Sequence, residues 1–126
     1  MGTRSLTFVY DGKTRVMCMY RQFDGYPSGH GRELATFLSD FDAVVNGLSF
    51  NETRKVANGM GCLAAQLVSN FKVAAGGFYL YPTNTKDAGQ EYEYHVYADK
   101  VVVKDDSGAK LFDDTWAEFV EYCKDE

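Results

Sequence analysis

LTFVYDGKTRVMCMYRQF, residues 6–23, alternates in side-chain character on both sides of Asp11-Gly12-Lys13. A D-G pair between two alternating runs is a strong short-range signal for a β-hairpin, because both residues tolerate the backbone of a tight turn. Leu6, Phe8 and Tyr10 then share one face of the first strand, and Val16, Cys18 and Tyr20 one face of the second. Met17 and Met19 point the other way, so part of the second face is expected to be covered too.

The residues that follow, FDGYPSGHG (23–31), place three glycines among Asp24, Tyr26, Pro27, Ser28 and His30. RELATFLSDF then puts Leu34, Phe37, Leu38 and Phe41 at helical spacing, with Ser28 or the Gly31 region as the entry. DAVVNGLSFNET reads mostly as loop, with Asn51 or Thr53 as caps for the next element. ANGMGCLAAQLVSNFK repeats apolar residues at helical spacing from Met60 to Phe71, with Gly76-Gly77 as the stop. GFYLYP (77–82) reads as a strand, and QEYEYHVYA (90–98) as one that buries Tyr92, Tyr94 and Val96 and leaves Glu93, His95 and Tyr97 on a wetter face. A further strand is expected at 100–104, then a turn at Asp106-Ser107-Gly108. Thr115 and Glu118 form a capping-box pattern ahead of Trp116, Phe119, Val120 and Cys123, the apolar face of a closing helix. The order β-β-α-α-β-β-β-α predicts an α+β fold: an antiparallel sheet of about five strands with helices packed on one face.

With 126 residues and no composition break, residues 1–126 read as a single domain. The aromatic content is high, with nine Phe, nine Tyr and one Trp, which argues against disorder. The net charge is −5 and no Lys/Arg cluster occurs, so duplex nucleic acid is disfavoured as a partner. A small anion needs only one or two cations and some backbone N–H groups, and a Tyr ring can stack on one base. Cys18, Cys62 and Cys123 are odd in number and dispersed, encoding neither a disulfide framework nor a zinc site. No apolar run is long enough to span a bilayer, and the amino terminus lacks signal-peptide or myristoylation patterns. The expectation is a cytoplasmic protein with no membrane partner.

In the glycine loop, Asp24 suits an Asx-turn and the glycines suit a strand-to-helix corner. The sharper reading makes Gly29, His30 and Gly31 donors of N–H groups to an anion at the helix start, with Tyr26 and His30 over it. Arg4 either clasps Asp24 or faces the same anion. Arg4, Asp24, Tyr26, Gly29, His30 and Gly31 are therefore the candidate ligand-binding residues. His30 and Asp24 also suit an acid/base pair, and His30, His95 and Asp24 are what a three-ligand metal site would draw on. His95 reads more simply as a sheet-surface residue, Cys62 as a buried structural thiol, and Gly59 and Gly61 as helix-packing positions. The tyrosines of the later strands read mostly as core. No Walker A loop, dinucleotide fingerprint, G-x-S-x-G, H-E-x-x-H or paired-carboxylate signature occurs, so no catalytic residue, metal or cofactor is assigned.

Gly2-Thr3-Arg4-Ser5 after the initial Met, and Phe23-Asp24-Gly25-Tyr26-Pro27, give the chain a further relationship. On these segments, with ANGMGCLAAQ and DAGQEYEY, it resembles a group of small uncharacterised bacterial and phage proteins that open with Met-small-Thr-Arg and a short hairpin. The resemblance covers well under half of the chain and brings no residue roles. Its phage association implies a setting in which small proteins bind host proteins or host signalling nucleotides and counteract host defence. The leading expectation is thus a non-enzymatic binding protein of phage or prophage type, taking a host protein or a small anionic, nucleotide-like ligand. A small hydrolase or transferase using His30 with Asp24 is the alternative. A structural homodimer, built through a strand edge or the acidic closing helix, is the third reading.

Overall fold

Ser5–Asp11 (β1) and Thr14–Arg21 (β2) form the expected hairpin in the computed structural model, which describes residues 2–126. Met1, the first residue of the opening motif, lies outside the described residues. Pairing runs from Ser5 opposite Arg21 to Val9 opposite Met17, then shifts so that Tyr10 faces Arg15. Val16 is the extra residue of a β-bulge. The bulge reverses the alternation at one point and brings Arg15 to the face of Phe8 and Tyr10, where its guanidinium lies 3.9 Å over the Phe8 ring.

Six strands order as β5-β2-β1-β6-β7-β8, where β5 is Phe78–Tyr81, β6 Tyr92–Val96, β7 Val101–Asp105 and β8 Lys110–Asp114. The fold is α+β as the sequence predicts, but the sheet is mixed: β1 and β6 run parallel, and all other neighbours antiparallel. The sixth strand, β8, is the one the sequence conceals. It is an edge strand in which only Phe112 is half-buried, and an extra residue at Leu111 interrupts its register with β7. Two three-residue strands, β3 (Ala43–Val45) and β4 (Val56–Asn58), form a second, parallel sheet within the region read largely as loop.

All three helices, α1 (Arg32–Ser39), α2 (Gly59–Phe71) and α3 (Trp116–Lys124), pack on one face of the large sheet, as expected. Leu34 and Leu38 of α1, Leu63 and Leu67 of α2, and Phe119 and Cys123 of α3 close on Val9, Met17, Met19, Tyr94, Val96, Val101 and Val103. Burying a side chain of this kind contributes about 1.5–3 kcal/mol. The predicted cap of α3 is present: Glu118 N–H donates to Thr115 Oγ1 at 3.2 Å. Neither Asn51 nor Thr53 caps α2; its N-cap is Asn58, and its last residue is Phe71, ahead of Gly76-Gly77. Gly59 has φ +82°, a backbone reason for glycine, while a Cβ at Gly61 would meet open space, so close packing accounts for neither.

The opposite, outer face carries Leu6, Phe8, Tyr10, Cys18 and Tyr20 in a smaller cluster. Residues 82–91, which join β5 to β6, cross this face as a strap, with Ala88 packed on the cluster. Arg15 Nη1 donates to Thr83 O at 3.2 Å and Thr85 O at 3.5 Å, holding the strap down.

Candidate functional site

The glycine loop lies between β2 and α1, with Pro27–Gly31 forming one π-helical turn. Asp24 takes a left-handed φ of 62°, which aspartate tolerates better than most residues. Its main-chain oxygen accepts His30 N–H at 2.7 Å, and Tyr26 O accepts Gly29 N–H at 2.9 Å and Gly31 N–H at 3.4 Å. The three N–H groups proposed for an anion are therefore engaged within the loop. The glycines answer to crowding: a Cβ on Gly29 would lie 2.5 Å from Asp24 O, and one on Gly31 would lie 3.2 Å from Cys123 Sγ and 3.3 Å from the Tyr94 ring. Asp24 makes no Asx-turn; its Oδ1 accepts the Tyr26 hydroxyl at 3.2 Å, which holds that phenol above its ordinary range.

His30 is fully buried between Tyr94 and Phe71. Arg21 Nη1 lies 3.1 Å from Nδ1, and Thr7 Oγ1 lies 2.8 Å from Nε2. Arginine can only donate, so Nδ1 is the acceptor, and Nε2–H donates to Thr7. Burial, reinforced by the Arg21 charge, lowers the imidazole to about 3, so it is neutral near pH 7. Arg21 also donates to Phe23 O, pairs with Glu33 at 2.9 Å and lies 5.0 Å over the Phe78 ring. With both ring nitrogens engaged and only a main-chain contact to Asp24, His30 is not placed as an acid/base partner of the Asp24 carboxylate. The residue that organises this cluster is Arg21. The available signal was its place two residues after Met19 on the face that the helices cover.

The second histidine is not on the sheet surface. His95 is buried on the outer face, stacked on Phe8 with ring centroids 5.0 Å apart. Its Nε2 lies 2.9 Å from Glu93 Oε1 and its Nδ1 2.7 Å from the Tyr10 hydroxyl, to which Arg15 Nε donates at 3.0 Å. The hydrogen bond from His95 holds the Glu93 carboxyl below its ordinary range, so Nε2 is the donor and Nδ1 accepts from Tyr10. Gln90 of the strap donates to the other Glu93 oxygen at 2.9 Å. Burial pushes the Tyr10 phenol up, against the Arg15 hydrogen bond. The Tyr10–His95–Glu93 chain thus ties the strap to the sheet through Arg15 at one end and Gln90 at the other.

Arg4 forms no clasp with Asp24; the two segments join through main chain, Gly25 N–H donating to Thr3 O at 2.8 Å. Position 4 precedes Leu6 by two residues, so its side chain is on the outer face, beside Gln22 and Tyr20. Gly89 of the strap gives it room: a Cβ there would come within 2.4 Å of Arg4 Nη1. Arg4 Nε is buried and has no hydrogen-bond partner, and among the described residues no carboxylate pairs with this guanidinium. Its charge opposes the upward push of burial on the Tyr20 phenol, whose hydroxyl donates to Gln22 Oε1 at 2.7 Å. Tyr20 stacks on Tyr81 at 5.1 Å and 11°, and Tyr79 lies 6.1 Å away. Tyr79 and Tyr81, at 48% and 37% exposure, form an open aromatic edge rather than core.

Of the six sequence candidates, Asp24, Tyr26, Gly29, His30 and Gly31 meet in one internally bonded corner, and Arg4 stands apart with Tyr20, Tyr79 and Tyr81. Cys18 and Cys123 are buried, their thiols pushed by burial up to about 11 and about 12. Cys62 is only half-buried, less enclosed than its apolar neighbours suggested, and its Sγ lies 3.3 Å from Gln66 Oε1. Among the described residues no three His, Cys, Asp or Glu side chains gather to hold a metal ion, so His30, His95 and Asp24 are not brought together. No helix among them is long and apolar enough to cross a membrane. No protein-family model, curated protein or solved structure matches the chain.

Proposed function

We propose that this is a binding domain that takes a small anionic, ring-bearing ligand of nucleotide type on its outer sheet face, between Arg4 and the exposed tyrosines. One observation carries the reading: the Arg4 guanidinium has a buried Nε with no acceptor and no carboxylate partner, in a chain that carries 18 acidic residues. An unpaired buried donor is costly, and an arginine fork matches a phosphate or carboxylate. Tyr79 and Tyr81 offer ring faces within a nucleotide's reach, and base-on-aromatic stacking contributes about 1–3 kcal/mol per base. Binding is favoured over catalysis because both histidines are held in internal hydrogen bonds, His30 to Thr7 and Arg21, and His95 to Tyr10 and Glu93. The resemblance of Gly2–Ser5 and Phe23–Pro27 to phage-associated proteins directs the reading to a bacterial cytoplasm, with a host nucleotide as the ligand and interference with host defence as the outcome.

The test is calorimetry with adenosine monophosphate and, separately, inorganic phosphate, on the wild type and on Arg4→Gln and Tyr81→Ala. The expected result is nucleotide binding that weakens at least tenfold in Arg4→Gln, a loss of about 1.4 kcal/mol or more. Phosphate alone is expected to bind more weakly and to be indifferent to Tyr81→Ala. Nucleotide binding unaffected by Arg4→Gln, or no binding of either probe, would overturn the reading.

A further inference from the structure

A groove of about 500 Å³ opens on the helical side of the sheet, away from Arg4. Glu33, Thr36, Phe37 and Asp40 supply one wall, their three- and four-residue spacing placing them on one side of α1. The end of α2 supplies the other with Asn70 and Phe71, followed by Val73, and Phe78 of β5 contributes to the lining. The floor is aromatic: Phe71 lies 6.3 Å from Phe37 and 5.6 Å from Phe78, centroid to centroid. Val73 stands at the rim with 88% of its surface exposed.

The charges around this floor are unevenly committed. Arg21, at the inner end, is 9% exposed and already shared between His30, Phe23 O and Glu33. Glu33 uses Oε2 for that pair, and its side chain is half exposed. Asp40 meets Lys55 only at 3.7 Å, longer than a hydrogen bond, and its side chain is 63% exposed. The mouth thus presents two carboxylates, about 10 Å apart along the helix at 1.5 Å per residue, beside an apolar floor.

We infer that this groove docks an extended segment of a partner protein that carries an aromatic side chain next to a basic one. The ring would pack on Phe37, Phe71 and Phe78, and the cation would meet Glu33 and Asp40. Charge selects the occupant: the carboxylates repel nucleic-acid phosphates and acidic segments, and a net charge of −5 disfavours a second copy of the chain. The observations are independent of those behind nucleotide binding at Arg4, and either site can fail without the other.

The experiment is amide chemical-shift titration of the isotope-labelled protein with the hexapeptide acetyl-Gly-Ser-Phe-Arg-Ser-Gly amide, against the same peptide with Glu in place of Arg. The expected result is saturable shifts confined to residues 33–40 and 70–73 for the Arg peptide, and at least about fivefold weaker binding of the Glu peptide. Asp40→Lys, at an exposed position, should weaken the Arg peptide about five- to tenfold with the remaining spectrum unchanged. Equal binding of both peptides, shifts elsewhere, or no shifts at millimolar peptide would overturn the inference. So would concentration-dependent shifts of the same amides without peptide, which would assign the groove to a second copy.

Discussion

Arg21 Nη1 and His30 Nδ1 meet at 3.1 Å inside the fold, and the contact decides the protonation of the histidine. A protonated ring would turn an N–H toward a guanidinium that also cannot accept. The native state therefore resists protonation until about pH 3, whereas an unfolded histidine titrates near 6.5. Below 6.5 the unfolded chain binds the extra proton. This group's contribution is thus fully present above that range and is lost as the pH falls from 6.5 toward about 3, by about 1.4 kcal/mol per unit in mid-window. Urea unfolding at a series of pH values should show this slope, reduced in His30→Gln. Nitrogen NMR should find His30 neutral with its proton on Nε2 at pH 5; a doubly protonated ring there would refute the arrangement.

Arg15 is the main pin of the strap, through the Phe8 ring, the Tyr10 hydroxyl and two strap carbonyls. Arg15→Ala should cost about 1–3 kcal/mol and selectively raise amide hydrogen exchange across residues 83–91. Arg15→Lys should restore little, since one ammonium cannot reproduce the fork's separate donors. Exchange that rises uniformly over the sheet instead would mean that the strap has no separate stability.

The three thiols should differ in reactivity. Cys18 and Cys123 are buried and pushed up to about 11 and about 12, while Cys62 is half-buried near the start of α2. The thiolate is the reacting form. Iodoacetamide at pH 8 should add one carbamidomethyl group to the native protein, mapping to Cys62, and three after denaturation. Rapid native labelling at Cys18 would show that the strap opens readily.

Sequence signals that act locally predicted well: the Asp11-Gly12 hairpin, the Thr115 cap and the buried Tyr92, Tyr94 and Val96 stripe depend on neighbours within a few residues. What stayed hidden depends on distant contacts or on an inserted residue. Val16 and Leu111 each interrupt an alternation, and so conceal Arg15's face and the strand β8. The parallel β1–β6 pair joins segments more than 80 residues apart, and only the strap turns His95's apparent surface position into a buried one. The glycine loop was legible as a corner, but not the closure of its N–H groups by Asp24 O and Tyr26 O, because that depends on Asp24 taking a positive φ.

Lys72 guards the free edge of β5. Its Nζ donates to Phe78 O at 2.7 Å and to Gly76 O at 3.0 Å, while Phe78 N–H is taken by Gly76 O. Two residues on, Leu80 faces outward by the antiparallel alternation, and Pro82 brings no N–H at all. An incoming strand would find donor and acceptor free only at Leu80. The other edge, β8, carries Lys110, Asp113, Asp114 and the extra residue, a different form of protection. Lys72→Ala removes the cap from Phe78 O and bares the flanks of Tyr79 and Leu80. Each new hydrogen bond would contribute about 0.5–1.5 kcal/mol, so the expected dimer is weak and is to be sought near millimolar concentration. Sedimentation velocity should show Lys72→Ala self-associating at a concentration where the wild type and Lys72→Arg do not. If all three sediment alike, the edge is not what controls assembly, and the remaining route to a homodimer is the acidic α3 surface, where like charges on facing copies oppose contact.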